Sequence, residues 1–373
     1  MIAAFGFHLP VRIQFGEGAS SALPDVLSEL RSRRPVAIAD EAVTDLAGGI
    51  ETLVKPAGEP TVAMVAEIAE RLAALDPDAV VAIGGGSALD VGKGARAALS
   101  QGVQAAELYA GRVQVAEPTI PLVAVPTTSG TGSEVSGGSV VTDPESGRKL
   151  GIASPLMRAQ HALVDPLPTL GLPRAATMET GADALAQAIG GVTVRNGNPA
   201  SIALGLEACR HVAAGYGRAV ANGADREARA EMSLGSLLAG LSMNLSDCGA
   251  DHALGHAIGA GLHLPHGLAV GLVLAETLDV SRASCAGRLE RVADALGEPD
   301  DGSGDGSRAV RAIRRLLADA GFPTCGEAGV AAEEVDALVP AAVDDYCLTV
   351  DAHDWSPAEV RGAFQAAVAL SGR

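Results

Sequence analysis

The segment Ala79–Ile83 reads AVVAI, five apolar residues without a polar break, and three glycines follow it at Gly84, Gly85 and Gly86. A strand with one face in water alternates apolar and polar residues. A strand that is apolar throughout has to be covered on both faces. Val36–Ala39 and Leu122–Val125 have the same character. Segments with helical spacing separate these runs, at Ser21–Arg31, Thr61–Leu75 and Ser87–Ser100. Pro24 is compatible with the first of them only as a first-turn residue. Buried strands alternating with helices specify a parallel sheet between helical layers. Val11–Phe15 reads as an edge strand stopped by Gly16 and Gly18.

The pattern changes after about Pro173. Ala175–Gly190, Pro199–Ala221, Asp225–Ser246, Asp251–Gly261 and Gly267–Leu278 are rich in Ala and Leu at helical spacing, and β-branched runs nearly vanish. Arg308–Ala320 and Ser356–Leu370 read as late helices, with a polar Gly/Asp/Ser loop over 299–307 before the first of them. A chain of 373 residues is long for one core. The expectation is an α/β domain over residues 1–173 and an all-helical domain over 174–373.

Composition narrows the partners. Apolar residues make up 48% of the chain and aromatics 2%, so the cores must be built of Ala, Val, Leu and Ile. A net charge of −18 argues against nucleic acid and against anionic membranes, since phosphate backbones call for Lys and Arg. The five cysteines are scattered with no C-x-x-C pair, which reads as free thiols in a reducing compartment. The N-terminus lacks the basic start and apolar core of a signal peptide, and no apolar run approaches the roughly 18 residues of a membrane span. The expected location is the cytoplasm.

Three features of the first half point to a nucleotide. Gly84-Gly85-Gly86-Ser87 lies between an apolar strand and a helix, where backbone N–H groups can face an anion. The spacing is not G-x-G-x-x-G, so an ordinary Rossmann unit is not implied. Asp40 ends an earlier strand. An acid there either accepts hydrogen bonds from an adenosine ribose and repels a 2′-phosphate, or caps the helix that begins near Glu41. Pro126–Val135, PTTSGTGSEV, concentrates hydroxyls and glycines after an apolar strand.

In the second half, His252, His256, His263 and His266 bring together half of the chain's eight histidines. Imidazole is the commonest metal ligand and the commonest proton carrier near neutral pH. His252 and His256 share a helix face by their i,i+4 spacing. Pro265 and the glycines before it allow the chain to fold back and bring His266 towards that face.

Taken together these motifs resemble the iron-containing (group III) alcohol dehydrogenase family, from the N-terminal strand to about residue 280. Gly84–Lys93 is similar to its G-G-G-S-x-x-D-x-x-K, and Pro126–Val135 to its P-T-T-(A/S)-G-T-G-S-E loop. Val164–Pro173, Thr180–Leu185 and Asn196–Pro199 resemble its domain junction, first metal-ligand helix and next loop. His252, His256 and His266 fall on its H-x-x-x-H-x(9)-H signature.

The resemblance implies an N-terminal, dehydroquinate synthase-like dinucleotide-binding domain with a parallel sheet, and a helical domain holding a divalent metal. It implies NAD rather than NADP through Asp40. Cofactor contacts would come from Asp40, Gly84, Gly85, Gly86, Ser87, Asp90, Thr127, Thr128, Ser129, Thr131, Ser133 and Lys149. Asp183, His252 and His266 would bind iron or zinc. The family's fourth ligand is a histidine where this chain has Gln187, a weak neutral oxygen donor. Related glycerol dehydrogenases also lack that histidine and use zinc, and three protein ligands plus one open position suffice for a catalytic zinc. The family's N-P-R motif near the C-terminus is also missing; the chain reads Tyr346-CLTVDAHDWS-Pro357.

The implied reaction is hydride transfer between NAD(H) and a small alcohol or aldehyde, in a homodimer or larger homo-oligomer. His256 would carry a proton to solvent, or else be a core histidine with a structural hydrogen bond. The competing readings are a metal-independent reductase resembling maleylacetate reductases, which Gln187 would explain, and a cyclase resembling dehydroquinate synthase. The cyclase would need more Lys and Arg near the histidines than this chain has.

Overall fold

The computed structural model describes residues 4–143 and 149–369 and divides into two compact units, His8–Leu170 and a second that contains Gly171 onwards. In the first unit the strands are β1 (Arg12–Phe15), β2 (Pro35–Ala39), β3 (Glu51–Val54), β4 (Ala79–Gly84), β5 (Leu122–Pro126), β6 (Gly138–Thr142), β7 (Lys149–Ala153) and β8 (His161–Val164). Its helices are α1 (Leu23–Glu29), α2 (Val62–Leu75), α3 (Gly86–Gln101) and α4 (Ala105–Tyr109). Six strands form one parallel sheet in the order β1-β8-β5-β4-β2-β3. The strand read as an edge, β1, is at the edge.

The apolar runs divide between two cores by simple alternation. Val80, Ala82, Ile38, Leu122 and Ala124 face one side and pack with Ile68, Leu72 and Leu89 of α2 and α3. Val81, Ile83, Ala37, Ala39, Val123 and Val125 face the other and pack with Leu23, Val26 and Leu27 of α1. Each face of the sheet therefore has its own helical cover. Strands β3 and β8, four residues each, were not read from the sequence. The antiparallel pair β6–β7 is also unannounced. It is tied to α3 by Asp90, whose carboxylate accepts the Val140 N–H at 2.9 Å.

The second unit is helical: α5 (Arg174–Thr193), α6 (Pro199–Ala221), α7 (Arg226–Leu245), α8 (Ala250–Leu262), α9 (His266–Ala295), α10 (Ser307–Asp319), α11 (Val335–Val343), α12 (Tyr346–Val350) and α13 (Pro357–Ala369). Helix α5 is buried on nearly all sides, as expected of a helix apolar around its circumference. It packs with α6, α7 and α9 around Leu185, Ile189, Val192, Leu206, Val212, Leu274 and Ile313. A second cluster joins α8 and α9 to α11 and α13 through Leu254, Ile258, Val273, Leu338 and Phe364. Helix α9 continues well past Leu278, through a kink at Cys285 (φ −137°), and buries Cys285, Leu289 and Val292 on the way. None of the helices among the described residues is long and apolar enough to cross a membrane.

With so few aromatics, the core gains area by close approach of backbones. A Cβ on Gly205 of α6 would lie 2.5 Å from the Ala188 carbonyl oxygen of α5 and 2.8 Å from Val192. Gly205→Ala forces these helices apart, at a cost of about 1–3 kcal/mol. The expected result is a lower Tm in a thermal unfolding scan; an unchanged Tm would show that α5 and α6 are not held at this distance.

Candidate active site

In the helical unit, three helices converge on Asp183. Asp183 lies on α5 and is 2% exposed. His252 and His256 stand one turn apart on α8. That helix ends with His263 in the left-handed conformation (φ 56°), and Pro265 precedes α9, so the chain reverses and starts α9 on His266. Close approach of α9 to α5 depends on Gly267, where a Cβ would lie 2.2 Å from the Glu179 carbonyl oxygen and 3.3 Å from the Asp183 Cβ.

The result is a three-donor cluster. His252 Nε2 is 3.5 Å from Asp183 Oδ1, and His266 Nε2 is 3.6 Å from the same oxygen. Ligand atoms of the three residues all lie within 4.8 Å of one another. Asp183 Oδ1 and His252 Nε2 are both buried without a hydrogen-bond partner. Each such orphaned atom costs about 1–3 kcal/mol unless something satisfies it. Donors about 2.1 Å from a tetrahedral ion are about 3.4 Å apart, close to the separations found here. The residues present therefore fit a divalent cation.

The surroundings support that assignment. The Asp251 carboxylate accepts a hydrogen bond from His252 Nδ1 at 2.9 Å. This fixes the proton on Nδ1 and leaves the Nε2 lone pair facing Asp183, the usual way a protein orients a metal-ligating imidazole. Burial by itself pushes the Asp183 carboxyl up, but the adjacent His266 and His252 outweigh it and hold the group well below the usual carboxylate range. The carboxylate is thus anionic, as a ligand must be. Gln187 follows Asp183 by one turn and is also buried.

His256 stacks on the His266 ring with centroids 5.3 Å apart. Its Nδ1 donates to Asp345 Oδ2 at 2.8 Å. Burial pushes the His256 imidazolium down, so the ring is neutral at pH 7. No local pattern pointed to Asp345, 89 residues away in the chain. Asp251 had a weak sign, its adjacency to His252. Helix α8 is held in place by another unforeseen acid, Asp351. Its carboxylate accepts the Ala250 N–H at 2.9 Å, the Ser281 hydroxyl at 2.8 Å and the Trp355 indole N–H at 3.1 Å. Asp351 falls in the segment that replaces N-P-R.

In the α/β unit, the three nucleotide features come together. Asp40 does not cap the following helical turn with its side chain. Its Oδ2 accepts the Gly85 N–H at 3.1 Å, and Lys55 Nζ is 3.5 Å from Oδ1. A Cβ on Gly84 (φ +144°) would lie 2.3 Å from the Asp40 carboxylate. Gly85 and Gly86 abut Thr128 and Thr131, so the glycine turn and the Pro126–Val135 loop form one surface at the carboxyl ends of β2, β4 and β5. Ser87 lies in the first turn of α3. Thr127, Ser129 and Ser133 are buried.

Two of the expected contacts have structural work. Ser133 donates to Asp90 at 2.6 Å, and Asp90 also pairs with the buried Lys93 at 3.1 Å. Lys93 in turn donates to Ser136 at 3.1 Å and to the Gly138 carbonyl, bracing β6. Lys149 lies on β7, paired with Glu59.

Residues 10–166 match the profile described as iron-containing alcohol dehydrogenase, and residues 177–368 match the C-terminal profile of the same family. The chain belongs to the iron-containing alcohol dehydrogenase family. It is 33% identical over 313 residues to the probable alcohol dehydrogenase EutG of Escherichia coli, covering 84% of this chain and 78% of that protein. Its fold is similar to the crystal structure of a 1,3-propanediol oxidoreductase, with a TM-score of 0.92, 27% identity and coverage of 98% and 100% of the two chains. The sulfoacetaldehyde reductase of Bifidobacterium kashiwanohense, solved with NAD+, superposes with a TM-score of 0.89 at 26% identity, covering 98% and 99%. The chain is an NAD(P)-dependent oxidoreductase of small alcohols or aldehydes, with a divalent-metal site formed by one Asp and two His.

Family membership also disposes of the dehydroquinate synthase-like cyclase. Protons compete with the metal for His252 and His266. Metal content after dialysis should therefore fall as the pH is lowered from about 8 to about 5, beginning above the ordinary imidazole range because His252 holds its proton more tightly than free imidazole. Content that stays flat over that range, followed by elemental analysis, would place the ion outside these histidines.

Proposed function

We propose that this protein is an NAD-linked alcohol dehydrogenase or aldehyde reductase in which Asp183, His252 and His266 hold the divalent ion. The observation that carries this reading is the pair of buried, unbonded donors, Asp183 Oδ1 and His252 Nε2, facing each other at 3.5 Å. An ion there supplies Lewis-acid polarisation of the substrate oxygen, and NAD(H) takes or gives the hydride. Gln187 adds a weak neutral oxygen beside this set, which suits zinc as well as iron, because zinc needs three protein donors and one open position.

His256 is the proton carrier in this reading. Its Nδ1 is engaged by Asp345, so Nε2 is free to exchange a proton with the substrate hydroxyl or a water. The neutral state favoured by burial leaves that nitrogen a base at pH 7. For the nucleotide, Asp40, Gly84, Gly85, Gly86, Ser87, Thr128 and Thr131 line the binding surface. Thr127, Ser129, Ser133, Asp90 and Lys149 support it. A carboxylate at Asp40 repels a 2′-phosphate and accepts ribose hydroxyls, which gives NAD over NADP. The NAD+ complex of the sulfoacetaldehyde reductase agrees with that choice.

Residues 1–173 then act as the nucleotide-binding domain and 174–373 as the metal and substrate domain. Two of the similar proteins are named for 1,3-propanediol and sulfoacetaldehyde chemistry, which supports a short alcohol or aldehyde with room for a second polar group as the substrate class. Five unpaired thiols support a cytoplasmic location. The exposed apolar edge of β1, with Ile13 and Phe15, supports a homodimer or larger assembly, for which light scattering is the check.

Asp183→Ala should lose the bound metal and lower kcat/KM with small aldehydes by about a thousandfold, equivalent to about 4 kcal/mol of transition-state stabilisation. A chelator should do the same to the unmodified enzyme. Full activity without metal would instead establish the metal-independent reductase that Gln187 makes conceivable. Asp40→Asn keeps an acceptor for the Gly85 N–H but removes the charge. It should narrow the preference for NADH over NADPH by about tenfold, and unchanged kcat/KM ratios would remove Asp40 from cofactor selection.

A further inference from the structure

A second group of potential ligands lies beside the first and shares no residue with it. His256, Asp345 and Cys347 offer one nitrogen, one oxygen and one sulfur, all within 4.8 Å of one another. They come from α8 and from the segment that opens α12. We propose that these three residues form a second cation site, for a soft divalent ion of the zinc class, and that filling it inhibits the enzyme.

The cluster is organised before any ion arrives. Asp345 Oδ1 accepts the Cys347 backbone N–H at 2.8 Å while Oδ2 accepts from His256 Nδ1. The carboxylate is therefore fixed in orientation by both neighbours, and the thiol follows it by two residues. All three side chains are only partly buried, with His256 33% and Asp345 20% exposed, so an ion can reach them from solvent. The more deeply buried Asp183 and His252 lack that ready access.

The donor set selects the ion. A mixed nitrogen, oxygen and sulfur site suits zinc or cadmium and disfavours magnesium and calcium, which require oxygen. On binding, the S–H bond of Cys347 breaks, its proton leaves to water and a sulfur–metal bond forms. His256 contributes the Nδ1 lone pair: the proton now shared with Asp345 leaves Nδ1 while Nε2 takes one from water, so the ring changes tautomer and releases no net proton. Thiolate and carboxylate together neutralise the dication, and no oxidation or reduction is involved.

Inhibition follows from where the site is. Its imidazole stacks on His266 at 5.3 Å, and an ion on His256 immobilises the ring that the proposed function uses as proton carrier. That consequence rests on the proposed function; the existence of the site does not.

The test uses the metal-loaded enzyme titrated with zinc, and in parallel with cobalt(II). The unmodified protein should bind two equivalents per chain by dialysis and elemental analysis. Cobalt should give a thiolate-to-metal charge-transfer band in the near ultraviolet, and excess zinc should suppress turnover. Cys347→Ser should keep the basal turnover and the first equivalent. It should lose the band and bind the second ion at least about tenfold more weakly, with inhibition shifted to match. Asp183→Ala should retain the band and one equivalent despite its lost activity, so a failure of the proposed function leaves the second site readable. One equivalent in the unmodified protein would overturn the proposal. So would a second equivalent with the same affinity and inhibition in Cys347→Ser.

Discussion

A carboxylate buried at the heart of a helical unit is the constraint around which that unit is organised. Asp183 is almost completely removed from water on a helix that is itself buried nearly all round. A buried charge without a partner is prohibitively expensive, so it must be met by an opposite charge or a metal. His252 and His266 meet it from two other helices, and the geometry they adopt has donors facing one another across a gap suited to an ion. The packing then has to deliver those helices to within contact of α5. The glycines do this: Gly267 lets α9 start against α5, and Gly255, whose Cβ would lie 2.7 Å from Val270, lets α8 lie against α9.

Carboxylates also govern the orientation of the surrounding groups. Asp251 sets the tautomer of His252, Asp345 that of His256, and Asp351 holds the start of the helix carrying both. In the α/β unit Asp40 has a comparable part: Oδ2 accepts the Gly85 N–H of the glycine turn and Oδ1 lies beside Lys55, with the side chain still partly exposed. In the proposed function the same acid also selects the cofactor, so loop geometry and cofactor choice are coupled there. Replacing it for the second purpose disturbs the first.

Much of the site was legible because it is local. His252 and His256 declare a shared helix face by spacing alone, and Pro265 announces the reversal that returns His266. The glycine turn and the hydroxyl loop are each continuous segments, and both were found where strand ends place them. Asp345 and Asp351 were not legible, since they reach α8 from 89 and 101 residues away through the packing of α11–α13 on that helix. Nor could spacing tell that Ser133 and Asp90 brace one another, or that the Asp40 side chain turns to the glycine loop instead of capping the helical turn after it. Those outcomes depend on which neighbour lies within hydrogen-bonding distance.

The order of apolar and polar residues by itself determined the layering. Uninterrupted apolar strands demand a sheet covered on both faces, and Ala/Leu repeats at helical spacing demand helices, because both follow from local periodicity and the cost of exposing apolar surface. It also determined the chemistry available, by placing histidines, acids and glycines in recognisable order. Only the tertiary structure decided which acid faces which imidazole, where two donors are left without a bond, and that Cys347 stands beside His256. Side-chain pairing across helices is fixed by close packing to fractions of an ångström, and that information is distributed over the whole core rather than written in any one segment.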